Sequence, residues 1–362
     1  MTKQGLFSTC APAALMTLAL LPACGAPAST DPVESVSQPV INGKRLPTNS
    51  YRSALVYTTP DFVSGSTGWL CSGTVVGPHH ILTAAHCVGK LDMVMVGTGA
   101  DAFEKEVFRP EVAEEMKPGK KLRVTNARSA STLVQYKPWL DVTIKKSTLS
   151  PPWVQFAKSN ENPGYGELLD AGRADLAIIE TVEEIGKVVA GIAPATVDTQ
   201  PVAADAEITM VGFGCEKWEL DEEGNVTDNW GTRVTGEYGR TKTMSAQQTA
   251  ELDWSEWGDW FTENGYTLDD VVEYYTTVSK GYRITAGPAI PPEPRGKPRA
   301  GVCPGDSGGG VYRGTGDSKV VGVNSGFFSD GEPGPASLNV FGRTDGEGGV
   351  ARWLKNNLPK VL

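Results

Sequence analysis

The chain has 362 residues, which is long enough for one large domain or two smaller ones, each with its own core. Its 42 glycines and 25 prolines exceed average usage, and with 40% hydrophobic residues in short runs they favour a turn-rich β protein over a helical bundle. The net charge of −10, without a dense Lys/Arg cluster, excludes a nucleic-acid partner.

Residues 1–24 are interpreted as a targeting segment. Lys3 precedes the run APAALMTLALLPAC, which is too short and too broken by proline to be a permanent membrane span. The stretch LPACG at 21–25 resembles the bacterial lipobox, in which the cysteine, here Cys24, is lipidated and becomes the new N-terminus. A plain signal peptide cut near residues 26–28 is the alternative. Both predict export, either to the cell envelope as an outer-membrane lipoprotein or by secretion, with a membrane contact only through a lipid on Cys24.

The rest of the chain divides into a short linker and a long β region. Residues 25–39 are rich in Pro and Ser and predict a tether or propeptide. From Val40 onwards, short apolar runs alternate with turn residues, and 189–201 is predicted to connect two β halves. Val350, Trp353, Leu354 and Leu358 have helical spacing and predict a C-terminal helix.

Two regions interrupt this pattern and are predicted to be insertions, at about 100–170 and about 216–300. The second holds five of the nine tryptophans, with Trp254, Trp257 and Phe261 on one helical stripe. A further helix is predicted after Thr267, with Asp270 placed for a capping box. These aromatic residues are interpreted as the core of a helical insertion, and a surface that grips a substrate or partner is the alternative.

Six cysteines and three histidines limit the chemistry. Without Cys10 and Cys24, four cysteines remain in an oxidising compartment, and three pairings are open. His86 lies in ILTAAHC, Asp175 begins the apolar stretch DLAII, and Ser307 lies in CPGDSGGG. A serine hydroxyl becomes a nucleophile beside a histidine base, and that histidine needs a carboxylate to orient it.

These motifs carry a family resemblance. WLCSGTVVGPHHILTAAHC, DLAII, VGFG and CPGDSGGG resemble the trypsin/chymotrypsin family of serine proteases, in the family's order of His, Asp and Ser. The resemblance covers most of 40–362 and implies an all-β fold of two antiparallel six-stranded β-barrels. The first would span about 40–188 and the second about 202–362, with a C-terminal helix and a helical insertion in the second half.

The resemblance also implies residue roles. His86 would be the general base, Asp175 its carboxylate and Ser307 the nucleophile, with the backbone N–H groups of Gly305 and Ser307 as the oxyanion hole. Val40 would be the mature N-terminus, whose amino group pairs with Asp306. Gly301, Ser325 and Phe327 would line the specificity pocket, and the disulfides would be Cys71–Cys87 and Cys215–Cys303.

The sequence departs from the family at two functional positions. Gly301 occupies the position where trypsin-like members have Asp, which predicts poor cleavage after Lys or Arg and a preference for small or apolar residues. Pro39 precedes Val40, where the family has Arg or Lys, so self-activation is not expected and another protease would be the activating partner.

The expected protein is therefore a monomeric serine endopeptidase acting on protein or peptide substrates without a cofactor or metal. The alternatives are a catalytically inactive homologue that binds partners through the Trp-rich insertion, and an esterase with the same triad. Asp170 is the rival to Asp175, and His79 and His80 are expected in a turn. A zinc site of Cys71, His79, His80, His86 and Cys87 is the competing interpretation of the histidine region.

Overall fold

The protein was analysed as a computed structural model. It describes residues 40, 43–47, 49–60, 70–98, 102–126, 132–133, 139–160, 162–164, 167–168, 171–214, 233–234, 236–252, 265–286, 301–303, 305–328 and 338–362. Cys24, Cys215, Asp170 and the predicted stripe of Trp254, Trp257 and Phe261 lie outside these residues.

The described chain is mostly β-strand. In chain order the strands are β1 Lys44–Arg45, β2 Ala54–Thr58, β3 Leu70–Gly77, β4 His80–Thr83, β5 Gly89–Val96, β6 Phe103–Val112, β7 Lys121–Thr125, β8 Thr132–Leu133, β9 Leu140–Leu149, β10 Ala177–Thr181, β11 Thr196–Val197, β12 Glu207–Gly212, β13 Arg233–Val234, β14 Glu237–Lys242, β15 Tyr282–Ala286, β16 Gly310–Arg313, β17 Lys319–Phe328 and β18 Leu338–Arg343. The helices are α1 Pro151–Ser159, α2 Ile185–Val188, α3 Leu268–Val278 and α4 Val350–Asn357, and short 3₁₀ turns cover Ala85–Cys87 and Glu114–Met116.

The first half forms a closed six-stranded barrel with the order β10-β4-β3-β2-β7-β9, in which every neighbouring pair is antiparallel. β2 and β3 are buried along their whole length, so the side chains that point out of the barrel are covered as well as those that point into it. The predicted first barrel is confirmed.

Two of these six strands, β7 and β9, come from the charged stretch 100–170. Leu122 and Val124 on β7, and Val142 and Ile144 on β9, point into the core, while the charged residues between them face outward. The charges therefore mark the solvent face of barrel strands, which is why the stretch has the composition of an irregular insertion.

The second half is an eight-stranded sheet in which β14, β12, β16, β17, β18 and β15 follow one another, with β1 outside β14 and β11 beside β17. A bridge between Met244 and Ile284 brings the chain after β14 to β15, so the two ends of the six-strand path approach each other. Among the described residues this is a half-barrel rather than a second closed barrel, and the all-β, two-barrel fold class is confirmed in that form.

The predicted helices have the predicted faces. α3 begins at Thr267, whose side chain accepts from the Asp270 N–H while the Asp270 carboxylate accepts from the Thr267 N–H, a capping box. Its buried residues Val271, Tyr275 and Val278 pack on the second sheet. In α4, Val350, Trp353 and Leu354 are buried in the core that both barrels share.

Candidate active site

His86 and Asp175 meet at the end of the first barrel. The 3₁₀ turn Ala85–Cys87 follows β4, and Asp175 lies just before β10, the antiparallel neighbour of β4. The imidazole Nδ1 of His86 is 2.6 Å from Oδ2 of Asp175, and the His86 backbone N–H donates to Oδ1 at 2.9 Å. Asp175 is fully buried, whereas the His86 side chain is 21% exposed. The two bonds to one carboxylate, one from the backbone and one at Nδ1, fix the orientation of the imidazole ring.

Mutual attraction favours the charged forms of both groups. Burial disfavours the charge on Asp175, but His86 and the hydrogen bonds to the carboxylate outweigh burial and lower the pKa of Asp175. Burial also disfavours the imidazolium, but the Asp175 charge and hydrogen bond raise the pKa of His86, with a smaller contribution from Glu106. This is the electrostatic setting of a histidine that accepts a proton.

Ser325 completes the surroundings of Asp175. Its hydroxyl donates to Asp175 Oδ2 at 2.6 Å, and the residue is buried on β17. Its side chain, predicted to line a specificity pocket, therefore belongs to the hydrogen-bond network of the carboxylate. The contact joins a strand of the second half to the carboxylate of the first.

The turn that carries Ser307 lies against the turn that carries His86. Gly308 has φ +82° and no room for a side chain, because a Cβ there would collide with the Thr83 hydroxyl and the Ser72 carbonyl. Gly305 has φ +93°. Neither the Gly305 nor the Ser307 N–H donates to a protein acceptor within the described ranges, so both amides are available to an anion.

Ser72 fixes this turn and was not predicted. Its N–H donates to the Ser307 carbonyl at 2.8 Å, and its hydroxyl donates to the Gly305 carbonyl at 2.8 Å. The hydroxyl also accepts from the Phe213 N–H at 2.9 Å. Ser72 lies in LCSGTVVG beside Cys71, but only the fold shows that it reaches residues more than 200 positions away.

Asp306 is fully buried between backbone amides. Its carboxylate accepts from the Gly214 N–H at 2.7 Å and the Cys303 N–H at 2.9 Å. Burial raises its pKa well above the usual value, and no Lys, Arg or His forms an ion pair with it in the part of the chain that the structure describes. Gly212 of VGFG is required here because a Cβ would collide with this carboxylate. Val40 is also buried, in a small hydrophobic cluster with Val302 and Val311 that is distinct from the main core.

The predicted pocket residues Gly301 and Phe327 share one neighbourhood. Val302 donates its N–H to Oδ1 of Asn339 at 2.9 Å, and Phe327 is paired with Asn339 across β17 and β18. Phe327 packs on the cluster that contains Val302. Asn339, fully buried and not predicted, therefore ties the segment 301–303 to the strand opposite Phe327.

The state of the cysteines contradicts the alternative of a zinc site at the histidines. Cys71 and Cys87 form the predicted disulfide, with 6.3 Å between their Cα atoms, so neither is a thiolate ligand. Cys303 is also disulfide-bonded, while Cys215 lies outside the described residues. His79 lies in the turn and contacts the Glu183 carbonyl, whereas His80 is the first residue of β4. Within the described ranges, no three His, Cys, Asp or Glu residues are grouped so that they could hold a metal ion. Among the described helices, none is long and apolar enough to cross a membrane.

Comparisons with known proteins give one partial family match and several similar solved structures. The family model described as Trypsin matches residues 41–115, about a fifth of the chain, which include His86. No curated protein matches. Neuropsin, a serine protease from mouse brain, is similar with 15% identity and TM-score 0.49, and the match covers 88% of this chain and 99% of neuropsin.

Two further solved structures are similar at the same level. One is titled GrC, with 15% identity, TM-score 0.46 and coverage of 88% and 98% of the two chains. The other is human heparin binding protein, with 12% identity, TM-score 0.45 and coverage of 89% and 100%. The chain is therefore similar to the Trypsin family model over residues 41–115, and its described residues form one closed six-stranded barrel and a half-barrel.

Proposed function

We propose that the chain is an exported serine endopeptidase that hydrolyses peptide bonds through an acyl-enzyme. Ser307 is the nucleophile, His86 the general base and then acid, and Asp175 the carboxylate that orients His86. The observation that carries this proposal is the 2.6 Å contact between His86 and a fully buried Asp175, beside the turn that bears Ser307.

The reaction follows from these positions. The Ser307 oxygen attacks the scissile carbonyl carbon while its proton passes to His86, and the carbonyl oxygen becomes an anion. His86 then gives the proton to the leaving amine as the C–N bond breaks, which leaves an ester on Ser307. Water attacks that ester, with its proton going to His86 and then back to Ser307, and the acid product leaves. Asp175 stays ionised throughout and stabilises the imidazolium.

The oxyanion would be bound by the Gly305 and Ser307 amides. Both lack a protein acceptor among the described residues, and Ser72 fixes the two carbonyls of the same turn. Loss of one such donor typically costs about 10²–10³ in rate.

Glycine at 301 supports a preference for small or apolar side chains in the primary pocket. A cationic side chain there would lose its hydration without gaining a carboxylate. A peptide library cleaved by protein that begins at Val40 tests this preference, and efficient cleavage after Lys or Arg would contradict it.

Activation by cleavage before Val40 is supported by the state of Asp306. A new α-amino group is a cation that would compensate this buried carboxyl, whose pKa is otherwise raised. Because Pro39 precedes the cut, another protease would make it. Mass spectrometry of the native N-terminus is the test, and an active form that still carries residues 25–39 overturns this part of the proposal.

Export is supported by the disulfide chemistry, because Cys71–Cys87 and the disulfide-bonded Cys303 require an oxidising compartment. A lipid on Cys24 would anchor the precursor, and cleavage before Val40 would release the enzyme.

A fluorophosphonate probe tests the enzymatic proposal directly. Correctly processed protein is expected to carry the adduct on Ser307, and Ser307→Ala is the matched control that should not label. If neither protein labels and no peptide is cleaved, the chain is an inactive homologue.

A further inference from the structure

The hairpin of β5 and β6 projects from the turn that carries His86. β5 begins at Gly89, two residues after Cys87, and the Ala113 N–H closes the base of the hairpin by donating to the Val88 carbonyl at 2.9 Å. The two strands pair with each other and with no other strand among those described. The hairpin is therefore a separate arm rooted beside the candidate active site.

One face of this arm alternates methionine and glutamate. Met93 is paired with Glu106 and Met95 with Glu104, and side chains of directly paired residues lie on the same face. Met93 is 57% exposed and Met95 62% exposed, and both glutamates are exposed. We call these four residues the Met/Glu face.

The opposite face of the arm is used for packing. Val107 is buried, and Lys105 forms an ion pair with Glu167. The segment 162–164 lies along the outer edge of β6, where the Pro163 carbonyl accepts from the Phe108 N–H at 2.7 Å. The four residues of the Met/Glu face are the exposed, outer part of their side of the arm, whereas Phe108, nearer the root on the same side, is buried.

The Met/Glu face is electrostatically coupled to His86. Besides Asp175, Glu106 raises the pKa of His86 through its charge. At the root of the arm, Gly89 packs on the Ala85 carbonyl and the Trp153 ring, and Phe108 stacks on Trp153 with 4.4 Å between ring centroids. This packing fixes the root of the arm beside the 3₁₀ turn that carries His86.

Alternating methionines and carboxylates match one kind of ligand side chain. Lys and Arg combine an apolar stem with a cationic head, and methionine adapts its shape to apolar surface. The stem can lie on Met93 or Met95 while the head reaches Glu104 or Glu106. Acidic peptides would be repelled by the same pair of carboxylates.

We propose that the Met/Glu face is a substrate subsite that selects a Lys or Arg residue flanking the scissile bond, outside the primary pocket. This inference rests on the proposed protease function for the position of the scissile bond, and the charge pattern of the face is independent of it. The subsite would make the enzyme prefer a basic residue at a substrate position that does not enter the primary pocket, so the glycine at 301 does not affect this preference.

The test compares pairs of peptides that differ only by Lys or norleucine at each position around the scissile bond. At one flanking position, the processed protein is expected to cleave the Lys peptide with a higher kcat/KM, by about two- to five-fold per carboxylate engaged. Glu104→Gln together with Glu106→Gln should remove this preference, measured as the ratio of kcat/KM for the Lys and norleucine peptides at one pH. The change in the His86 pKa caused by the loss of the Glu106 charge acts on both peptides alike and cancels in this ratio. Glu115→Gln, an exposed carboxylate outside the arm, is the matched control and should retain it.

The outcomes separate this inference from the function on which it rests. Cleavage with the same Lys preference in the double variant, or with none in the parent, overturns the subsite and leaves the protease standing. A second measurement does not need turnover, namely fluorescence anisotropy of labelled Lys and norleucine peptides on Ser307→Ala. Stronger Lys-peptide binding that the double substitution removes supports the subsite even if no activity exists, and equal binding of both peptides rejects it.

Discussion

The Ser72 hydroxyl donates to the carbonyl of Gly305 across the boundary between the two halves of the fold, at 2.8 Å. The same residue holds Ser307 through its backbone N–H. A buried serine on β3 therefore sets the position of a turn that the chain reaches only after passing through most of the second half.

Replacing Ser72 with Ala should reduce both activity and stability. The Gly305 carbonyl and the Phe213 N–H would lose their partner in a buried site, which costs about 2 kcal/mol of unfolding free energy. The freed turn would misplace the two amides, and we expect kcat to fall about ten- to hundred-fold. Ser53→Ala is the control, because this buried serine contacts the Tyr312 hydroxyl instead. A kcat loss in the control as large as that in Ser72→Ala would refute a positioning role.

Asp175→Asn should leave the fold intact and nearly abolish hydrolysis. An amide in this position can present its NH₂ to His86, which favours the wrong tautomer, and this change in a Ser-His-Asp triad lowers kcat about 10⁴-fold. Circular dichroism measures whether the fold is kept, and hydrolysis of a peptide substrate measures the loss of activity. Asp198→Asn, a buried carboxylate paired with Arg313, is the matched control and should keep its activity.

The pH profile should reflect the raised pKa of His86. Only the neutral imidazole accepts the Ser307 proton, so kcat/KM is expected to rise with pH, with a midpoint above the usual histidine value of about 6.5. Since Glu106 contributes to this raised pKa, Glu106→Gln should move the midpoint to lower pH. An unchanged midpoint in that variant would contradict the electrostatic coupling.

The same shift has a consequence for stability. A histidine with a raised pKa in the folded state binds its proton more tightly than in the unfolded chain. Its contribution is therefore fully present below pH about 6.5 and is lost as the pH rises through the folded pKa. Denaturant unfolding at several pH values, compared between the parent and Asp175→Asn, should detect this loss in the parent alone.

Reduction of the Cys71–Cys87 disulfide should weaken the His86 turn. The bridge closes a segment with a sequence separation of 16, for which loop entropy predicts about 3 kcal/mol. The double variant Cys71→Ala, Cys87→Ala should unfold at a lower denaturant concentration than the parent. It should begin to lose activity at denaturant concentrations close to its own unfolding transition. Equal denaturation midpoints for the variant and the parent would show that the barrel alone fixes the turn.

Local patterns in the sequence predicted much of this structure. The helical face of α4, the capping box of α3 and the triad motifs all depend on residues close in sequence, and the structure has the helices and the His86–Asp175 contact. The contacts of Ser72, Asn339 and Ser325 could not be predicted in the same way, because their partners lie far away in the chain. The sequence did not predict the strands β7 and β9, because charged residues on their outer faces, such as Arg123 and Lys145, are typical of loops.

The Ser53–Tyr312 contact lies within a hydrophobic core that continues from the first barrel into Val211, Phe213 and Val320 of the second. Neither barrel can be separated from the other without exposing this apolar surface to water. The two halves should consequently unfold together in a single transition, and fragments cut at the connector should aggregate rather than fold. Proteolysis within 189–201 would then end activity permanently, because the fragments could not rebuild the cleft.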